Sequence, residues 1–177
     1  MGEVERLLPP EPLADSHEIE EFECGESSLD GWLRKRARAN QASGASRTYV
    51  VCVNARGHED STTARVVAYY SLASGAVIVR SAPGRFRRNM PDPIPVVVLA
   101  RLAVERRWQG RGIGRGMFRD AARRVAHAAD VIGIRDIVVH AISEEARDFY
   151  LALGFDASPV EPMTLMVTLS DIRAALS

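Results

Sequence analysis

Apolar and β-branched positions form several short runs along the chain, and each run predicts a strand. The first two, Thr48–Val53 and Ala64–Leu72, flank the polar stretch Asn54–Thr62 and predict an antiparallel hairpin. The longest run, Val96–Val104, follows Pro95 and leads into a glycine cluster, which is typical of a buried central strand. Further strands are predicted at Ile134–Ala141, Phe155–Ala157 and Met163–Leu169. The early strands are therefore antiparallel neighbours, and the later ones are separated by helical segments.

Apolar positions three and four residues apart predict the helices. The first covers Leu29–Ala42, with Ser27 or Ser28 as its N-cap and Gly44 as its end. The later helices are predicted at Gly114–Gly133, Glu144–Leu153 (closed by Gly154) and Asp171–Leu176. No internal repeat, linker or low-complexity stretch divides the chain. We therefore predict one mixed α/β domain over residues 1–177.

Charge distribution is more informative than net charge in this sequence. The 23 basic residues balance 23 acidic ones, so net charge alone predicts no polyanionic partner. Lys35 is the single lysine, and arginine therefore supplies nearly all positive charge. The arginines cluster at Arg34–Arg38, Arg85–Arg88, Arg101–Arg115 and Arg119–Arg124. A genome rich in arginine codons explains the overall usage equally well, but the clusters suit bidentate contacts to phosphate.

Cysteine usage and hydropathy place the protein in a reducing compartment. Cys24 and Cys52 are too few for a disulfide framework or a zinc site. The N-terminus lacks a basic-then-apolar signal pattern, and no apolar run approaches the roughly 20 residues that a membrane span needs. We expect a cytoplasmic protein without a membrane association. The four histidines, at His17, His58, His127 and His140, show no ligand spacing, so we expect no metal.

The turn Gln109-Gly110-Arg111-Gly112-Ile113-Gly114 joins the central strand to a helix. Such a junction directs unpaired backbone N–H groups and the positive end of the helix dipole at a ligand, and phosphate suits both. A dinucleotide-binding fold is disfavoured, because the spacing fails Gly-x-Gly-x-x-Gly and the turn follows antiparallel strands. A glycine turn with a purely structural purpose is the other alternative.

With the strand end before it, this turn resembles the Gln/Arg-x-x-Gly-x-Gly/Ala signature of the GCN5-related N-acetyltransferases (GNAT). The resemblance implies a central mixed sheet that is splayed at the CoA site and flanked by helices, and acetyl-CoA as cosubstrate. It assigns the pantetheine arm to the strand end and the phosphates to the turn, with Arg111 and Arg115 as additional ligands. The acetyl-CoA residues so implied are Leu102, Ala103, Val104, Gln109, Gly110, Arg111, Gly112, Ile113, Gly114 and Arg115.

The segment Ala146–Phe155 is similar to the helix of that family whose tyrosine faces the CoA sulfur, which makes Tyr150 the implied general acid. A phenol of pKa about 10 can protonate a departing thiolate of pKa about 8.5. The alternative is a packing role like that of Phe149. No residue is identifiable as the base. Deprotonating an α-amine at pH 7 costs roughly 1 kcal/mol, against roughly 4.6 kcal/mol for a lysine side chain, so we favour an α-amine acceptor.

The run Asn-Gln-x-x-Gly-x-Ser-Arg-Thr at Asn40–Thr48, together with Phe22–Leu33 and Tyr69–Ala73, resembles the acetyltransferase toxins of bacterial toxin–antitoxin pairs. That resemblance implies acetylation of the α-amino group of aminoacyl-tRNA, a block of translation, a ribbon–helix–helix antitoxin as partner, and a homodimer. Two alternatives stay open. One is another acceptor, such as a small amine or a protein N-terminus; the other is a non-catalytic module that binds CoA or the antitoxin.

A tRNA substrate needs phosphate contacts near its acceptor stem, and the basic clusters offer them. The candidates are Arg34, Lys35, Arg36, Arg38, Arg85, Arg87 and Arg88. The alternative is a solvated face, at least for the residues of the first helix. The neutral overall charge argues against extensive contact with RNA.

Overall fold

The computed structural model describes residues 5–54 and 64–177, and the predicted turn at Asn54–Thr62 lies outside them from residue 55 onward. The strands are β1 (Glu11–Pro12), β2 (Arg47–Asn54), β3 (Ala64–Val77), β4 (Ile94–Val104), β5 (Asp136–His140), β6 (Asp156–Ala157) and β7 (Thr164–Thr168). The helices are α1 (Ser27–Lys35), α2 (Ala37–Ser43), α3 (Ile113–Ala128), α4 (Glu144–Ala152) and α5 (Leu169–Leu176), with 3₁₀ turns at Val79–Ser81, Gly84–Phe86 and Arg106–Trp108. The predicted mixed α/β class is confirmed.

The described strands form one seven-stranded mixed sheet in the order β1-β2-β3-β4-β5-β7-β6. The predicted hairpin of β2 and β3 is antiparallel, with a bulge between Val51 and Cys52. β4 and β5 are parallel, and their paired residues run from Val96 to Leu99 on β4. β4 continues to Val104, whereas β5 ends at His140. The end of β4 thus extends past its ladder with β5, as expected for a sheet that splays at this point.

The residues divide into two compact units, one of Met1–Leu72 with Arg101–Asp120 and the other of Ala73–Ala100 with Ala121–Ser177. The first unit has its own core beneath α1 and α2, which includes Phe22, Leu33, Val50, Tyr69 and Ala103. The core of the second unit includes Phe86, Ile94, Val96, Val138 and Met166. Strands β3 and β4 and helix α3 contribute residues to both units.

The first predicted helix is divided into α1 and α2 at Arg36, whose backbone leaves the helical region at φ −125°. Neither proline nor glycine marks this break, so apolar spacing alone predicts one continuous helix. The predicted N-cap is wrong: Glu26 occupies that position and its side chain makes no capping hydrogen bond. The predicted end at Gly44 is confirmed by its left-handed conformation, φ 78°.

None of the helices in the described ranges is both long and apolar enough to cross a membrane.

Candidate active site

The turn after β4 has the backbone of an anion cradle. Gly110 and Gly112 have φ values of 74° and 81°, a region that a residue with a Cβ adopts only with strain. No described atom lies within 4 Å of the position that a Cβ would take on either glycine, so this side of the turn is open. Helix α3 begins at Ile113, and its first N–H groups have no partner within the helix. The positive φ values that a phosphate turn needs are present at these two glycines, and the binding of phosphate stays a prediction.

Gln109 braces this turn. Its Nε2 donates to the carbonyl oxygens of Cys24 (2.8 Å) and Val104 (2.9 Å), and its backbone N–H donates to Arg106 (3.3 Å). The backbone N–H of Arg106 in turn donates to Glu23 at 2.9 Å. Each N–H of Gln109 is therefore engaged within the protein, which gives this residue a positioning role. The motif alone does not reveal these bonds, and the binding of CoA by Gln109 that the resemblance implies stays a prediction.

Positive side chains accompany the open turn. The Arg111 guanidinium lies 4.7 Å from the centre of the Trp108 ring. Arg115, in the first turn of α3, is exposed, and its side chain makes no hydrogen bond or ion pair with residues 5–54 or 64–177. Both side chains are therefore available to phosphate oxygens.

The carboxylate next to the strand end, Glu105, is fully engaged. It is buried, and its two oxygens accept hydrogen bonds from Arg65 (2.6 Å) and Arg107 (3.0 Å). Its backbone N–H donates to Val67 at 2.8 Å. Because both oxygens are occupied, Glu105 fixes the end of β4 and is poorly placed to accept a proton from a substrate amine. Sequence reasoning did not single it out.

Tyr150 lies in α4, whose first turn is capped by Ser143: its Oγ accepts from the Ala146 N–H at 3.1 Å. The tyrosine is 7% exposed, and its ring packs edge-on against Phe149 (5.2 Å) and Phe155 (5.3 Å). Burial raises the pKa of the Tyr150 phenol, so the hydroxyl stays protonated at neutral pH. This hydroxyl makes no hydrogen bond to any residue that the structure describes. The Tyr150 ring therefore packs in the core, and its hydroxyl proton is available to a ligand.

Two of the basic side chains near α1 and α2 are held by backbone carbonyls. Arg34 donates to Phe22 at 2.8 Å, and Arg38 donates to His17 at 2.5 Å. The side chains of their neighbours Lys35 and Arg36 are exposed and make no hydrogen bond or ion pair within the described ranges.

The second basic cluster belongs to the other compact unit. Arg85 forms ion pairs with Asp156 and with Asp171, the latter at 2.9 Å. Arg87 donates to the carbonyl oxygen of Ala82 at 2.7 Å. Arg88 is exposed and has no partner among the described residues. Of the seven predicted tRNA contacts, Lys35, Arg36 and Arg88 are thus the side chains with neither a hydrogen bond nor an ion pair in the described ranges.

One group of potential metal ligands lies elsewhere, where ligand atoms of Glu11, His17 and Cys52 lie within 4.8 Å of one another. The His17 Nδ1 accepts from the Ala14 N–H at 2.9 Å, so its Nε2 carries the proton and donates to Glu11 at 2.7 Å. Burial raises the pKa of the Cys52 thiol to about 12. The two hydrogen bonds of the His17 imidazole link Ala14 and Glu11 in a partly buried network.

Comparison with known proteins identifies the family. The family model described as "Acetyltransferase (GNAT) domain" matches residues 46–157, which contain the glycine turn and Tyr150. This chain belongs to the GNAT acetyltransferase family.

Individual relatives cover nearly the whole chain. A tRNA-acetylating toxin of Mycobacterium tuberculosis is 48% identical over 94% of this chain and 95% of its own length. The solved structure of AtaT complexed with acetyl-methionyl-tRNAfMet has a TM-score of 0.84 and 26% identity, over 97% of this chain and 100% of that one. A tyrosine-to-phenylalanine mutant of AtaT bound to acetyl-CoA and the C-terminus of the antitoxin AtaR has a TM-score of 0.79 and 26% identity, over 97% of this chain and 98% of that one.

Proposed function

We propose that this protein transfers the acetyl group of acetyl-CoA to the α-amino group of aminoacyl-tRNA and acts as a toxin that blocks translation. The observation that supports this reaction is the state of Tyr150. Its side chain is buried, and its protonated hydroxyl makes no hydrogen bond among the described residues. The choice of acceptor is supported by the 48%-identical tRNA-acetylating toxin.

In this mechanism the turn from Gly110 to Arg115 binds the CoA phosphates through backbone N–H groups, with Arg111 and Arg115 adding charge. The main chain of Leu102–Val104 pairs with the pantetheine arm. The neutral α-amine attacks the thioester carbonyl, and the tetrahedral intermediate collapses with loss of the CoA thiolate. Tyr150 donates its phenolic proton to that sulfur and regains a proton from solvent, and the proton of the amine passes to water. Deprotonating the α-amine at pH 7 costs only about 1 kcal/mol, so a dedicated base is unnecessary.

Tyr150→Phe tests this proposal. Because general acid catalysis contributes about 10²–10⁴-fold, we expect kcat to fall by about 10²-fold or more, with the Kd for acetyl-CoA changed less than about twofold. The measurement is the mass-spectrometric yield of N-acetyl-aminoacyl-tRNA from acetyl-CoA and total charged tRNA. Tyr49→Phe removes a hydroxyl from β2 and serves as the matched control. A parent protein that consumes no acetyl-CoA with any amine offered would show that the chain is a non-catalytic binding module.

The proposal extends to partners and location. We propose a ribbon–helix–helix antitoxin as the neutralising partner, in line with the AtaT structure that contains AtaR. We also propose that residues 1–177 act as one acetyltransferase domain, that it pairs as a homodimer, and that it works in the cytoplasm, where charged tRNA is used. Pull-down of this chain with its antitoxin, followed by loss of tRNA acetylation, tests the first point.

A further inference from the structure

Arg101, near the end of β4, lies on an aromatic stack that is built by one residue of α1 and one of β3. Its guanidinium carbon is 4.2 Å from the centre of the Trp32 ring. Trp32 stacks on Tyr69 with ring centres 6.0 Å apart and an interplanar angle of 13°. The Tyr69 hydroxyl donates to the Leu29 carbonyl of α1 at 2.7 Å. The position of the guanidinium is therefore fixed by packing rather than by an acid.

The charge on Arg101 has no counterion in the described residues. The side chain is half-buried, and it makes neither a hydrogen bond nor an ion pair there. Arg65, another half-buried arginine of this unit, is instead paired with Glu105 at 2.6 Å. Removing a guanidinium from water without a hydrogen-bonded partner is costly. The five N–H donors of Arg101 therefore suit an anionic oxygen that arrives with a ligand.

The face of β4 on which Arg101 lies indicates which ligand supplies the anionic oxygen. Ala103, two residues along the strand, belongs to the core beneath α1 and α2, so Arg101 shares that face. Leu102 alternates to the opposite face. The phosphates of acetyl-CoA already have a cradle in the turn after β4, with Arg111 and Arg115 beside it. A second phosphate site on the α1 face therefore fits the acceptor.

We propose that Arg101, held by Trp32, binds a phosphodiester in the unpaired 3′ end of aminoacyl-tRNA and so positions the α-amine for attack. This inference rests on the proposed function. A planar guanidinium matches two phosphate oxygens at once, which fixes direction as well as distance. Arg101 is a binding residue for the acceptor in this scheme, and Trp32 is a positioning residue.

Fluorescence anisotropy with two uncharged RNA hairpins tests the inference, one carrying a single-stranded 3′-CCA end and one blunt. For Arg101→Gln we expect the Kd of the CCA hairpin to rise about tenfold, with an unchanged Kd for the blunt hairpin and for acetyl-CoA. The slope of log K against log salt should fall in magnitude by about 0.7, the value for one phosphate of a single strand. Arg101→Lys keeps the charge and should keep the slope, which separates the contact from a folding defect. Arg173→Gln, on α5 and paired with Asp130 at 3.0 Å, is the control expected to match the parent.

An unchanged salt slope for Arg101→Gln, or a higher Kd for acetyl-CoA in place of RNA, would overturn the inference. The same preparation of the parent is assayed on charged tRNA. If the parent acetylates charged tRNA while the slope is unchanged, only the assignment of Arg101 fails. If the parent acetylates no charged tRNA, the proposed function fails and the assignment fails with it.

Discussion

Asp136, the first residue of β5, has a buried carboxyl group, and burial of its charged form lowers the free energy of unfolding. It is 3% exposed, and its Oδ2 has no hydrogen-bond partner among the described residues. Burial raises the pKa of Asp136 to about 6, against the opposing charges of Arg135 and Arg85. Since the pKa in the folded protein lies above 3.8, the value for the free side chain, the protonated form favours folding. This contribution is present below pH 3.8 and is lost as the pH rises through about 6.

Replacing this carboxyl group should flatten the pH dependence of stability. Between pH 4.5 and 7.5 the parent should lose about 2 kcal/mol more free energy of unfolding than Asp136→Asn does, by linkage. Urea unfolding at the two pH values measures the difference. Asp148→Asn, an exposed carboxylate on α4, should retain the dependence of the parent. Equal pH dependence in the parent and Asp136→Asn would contradict the prediction.

The sequence predicted the backbone of the turn well, because a left-handed conformation limits the choice of residue. Gly110 and Gly112 have the positive φ that the turn needs. The catalytic role of Tyr150 stays a prediction, and burial raises the pKa of its phenol. The roles of Gln109 and Arg101 depend instead on contacts with residues 69 to 85 positions away, at Trp32 and Cys24. A sequence motif does not show contacts between residues so far apart, so these two contacts could be identified only in the folded structure.

Strands were easier to predict than helix boundaries. The β-branched runs predicted β2, β4 and β5 to within two residues, because a buried strand leaves a dense apolar signature. The break at Arg36 leaves no such signature. It arises where α1 closes with a hydrogen bond from the Arg36 N–H to Trp32 (2.8 Å) and buried Ala37 begins α2.

Strand β3 lies beside β4 in the sheet, and this close pairing makes stability sensitive to a side chain at Gly75. A Cβ there would lie 2.7 Å from Val98 Cγ2 and 3.5 Å from Val96 Cγ2. Valine is stiff at χ1, so we expect Gly75→Ala to lower the free energy of unfolding by about 1–3 kcal/mol. Chemical unfolding monitored by circular dichroism measures the change.

Two further variants make this test specific. Gly31→Ala, within α1, meets no described atom within 4 Å and should raise the free energy of unfolding by about 0.5–1 kcal/mol. Val98→Ala removes the clashing methyl group, so Gly75→Ala should cost less in that background. Identical effects of Gly75→Ala and Gly31→Ala would mean that the two strands move apart freely.

At the scale of the whole molecule, a protein with no net charge must bind a polyanion through local groups. Arg85 together with its ion-pair partners Asp156 and Asp171 carries a net negative charge, so Arg85 is the weakest of the predicted tRNA contacts. Lys35, Arg36 and Arg88, whose side chains have no partner in the described ranges, are the strongest. The homodimer implied by the resemblance stays a prediction.

Three charge reversals separate local contact from net charge, because each changes the net charge by the same amount. Lys35→Glu and Arg88→Glu should each raise the KM for charged tRNA by about tenfold, since a phosphate contact is replaced by repulsion, while the Kd for acetyl-CoA is unchanged. Arg123→Glu alters an exposed residue of α3 outside the predicted contacts and should change the KM less than about twofold. Steady-state acetylation of charged tRNA at two salt concentrations measures all three. If all three reversals weaken the reaction equally, the field of the whole molecule governs tRNA binding, and the predicted local contacts at Lys35 and Arg88 are wrong.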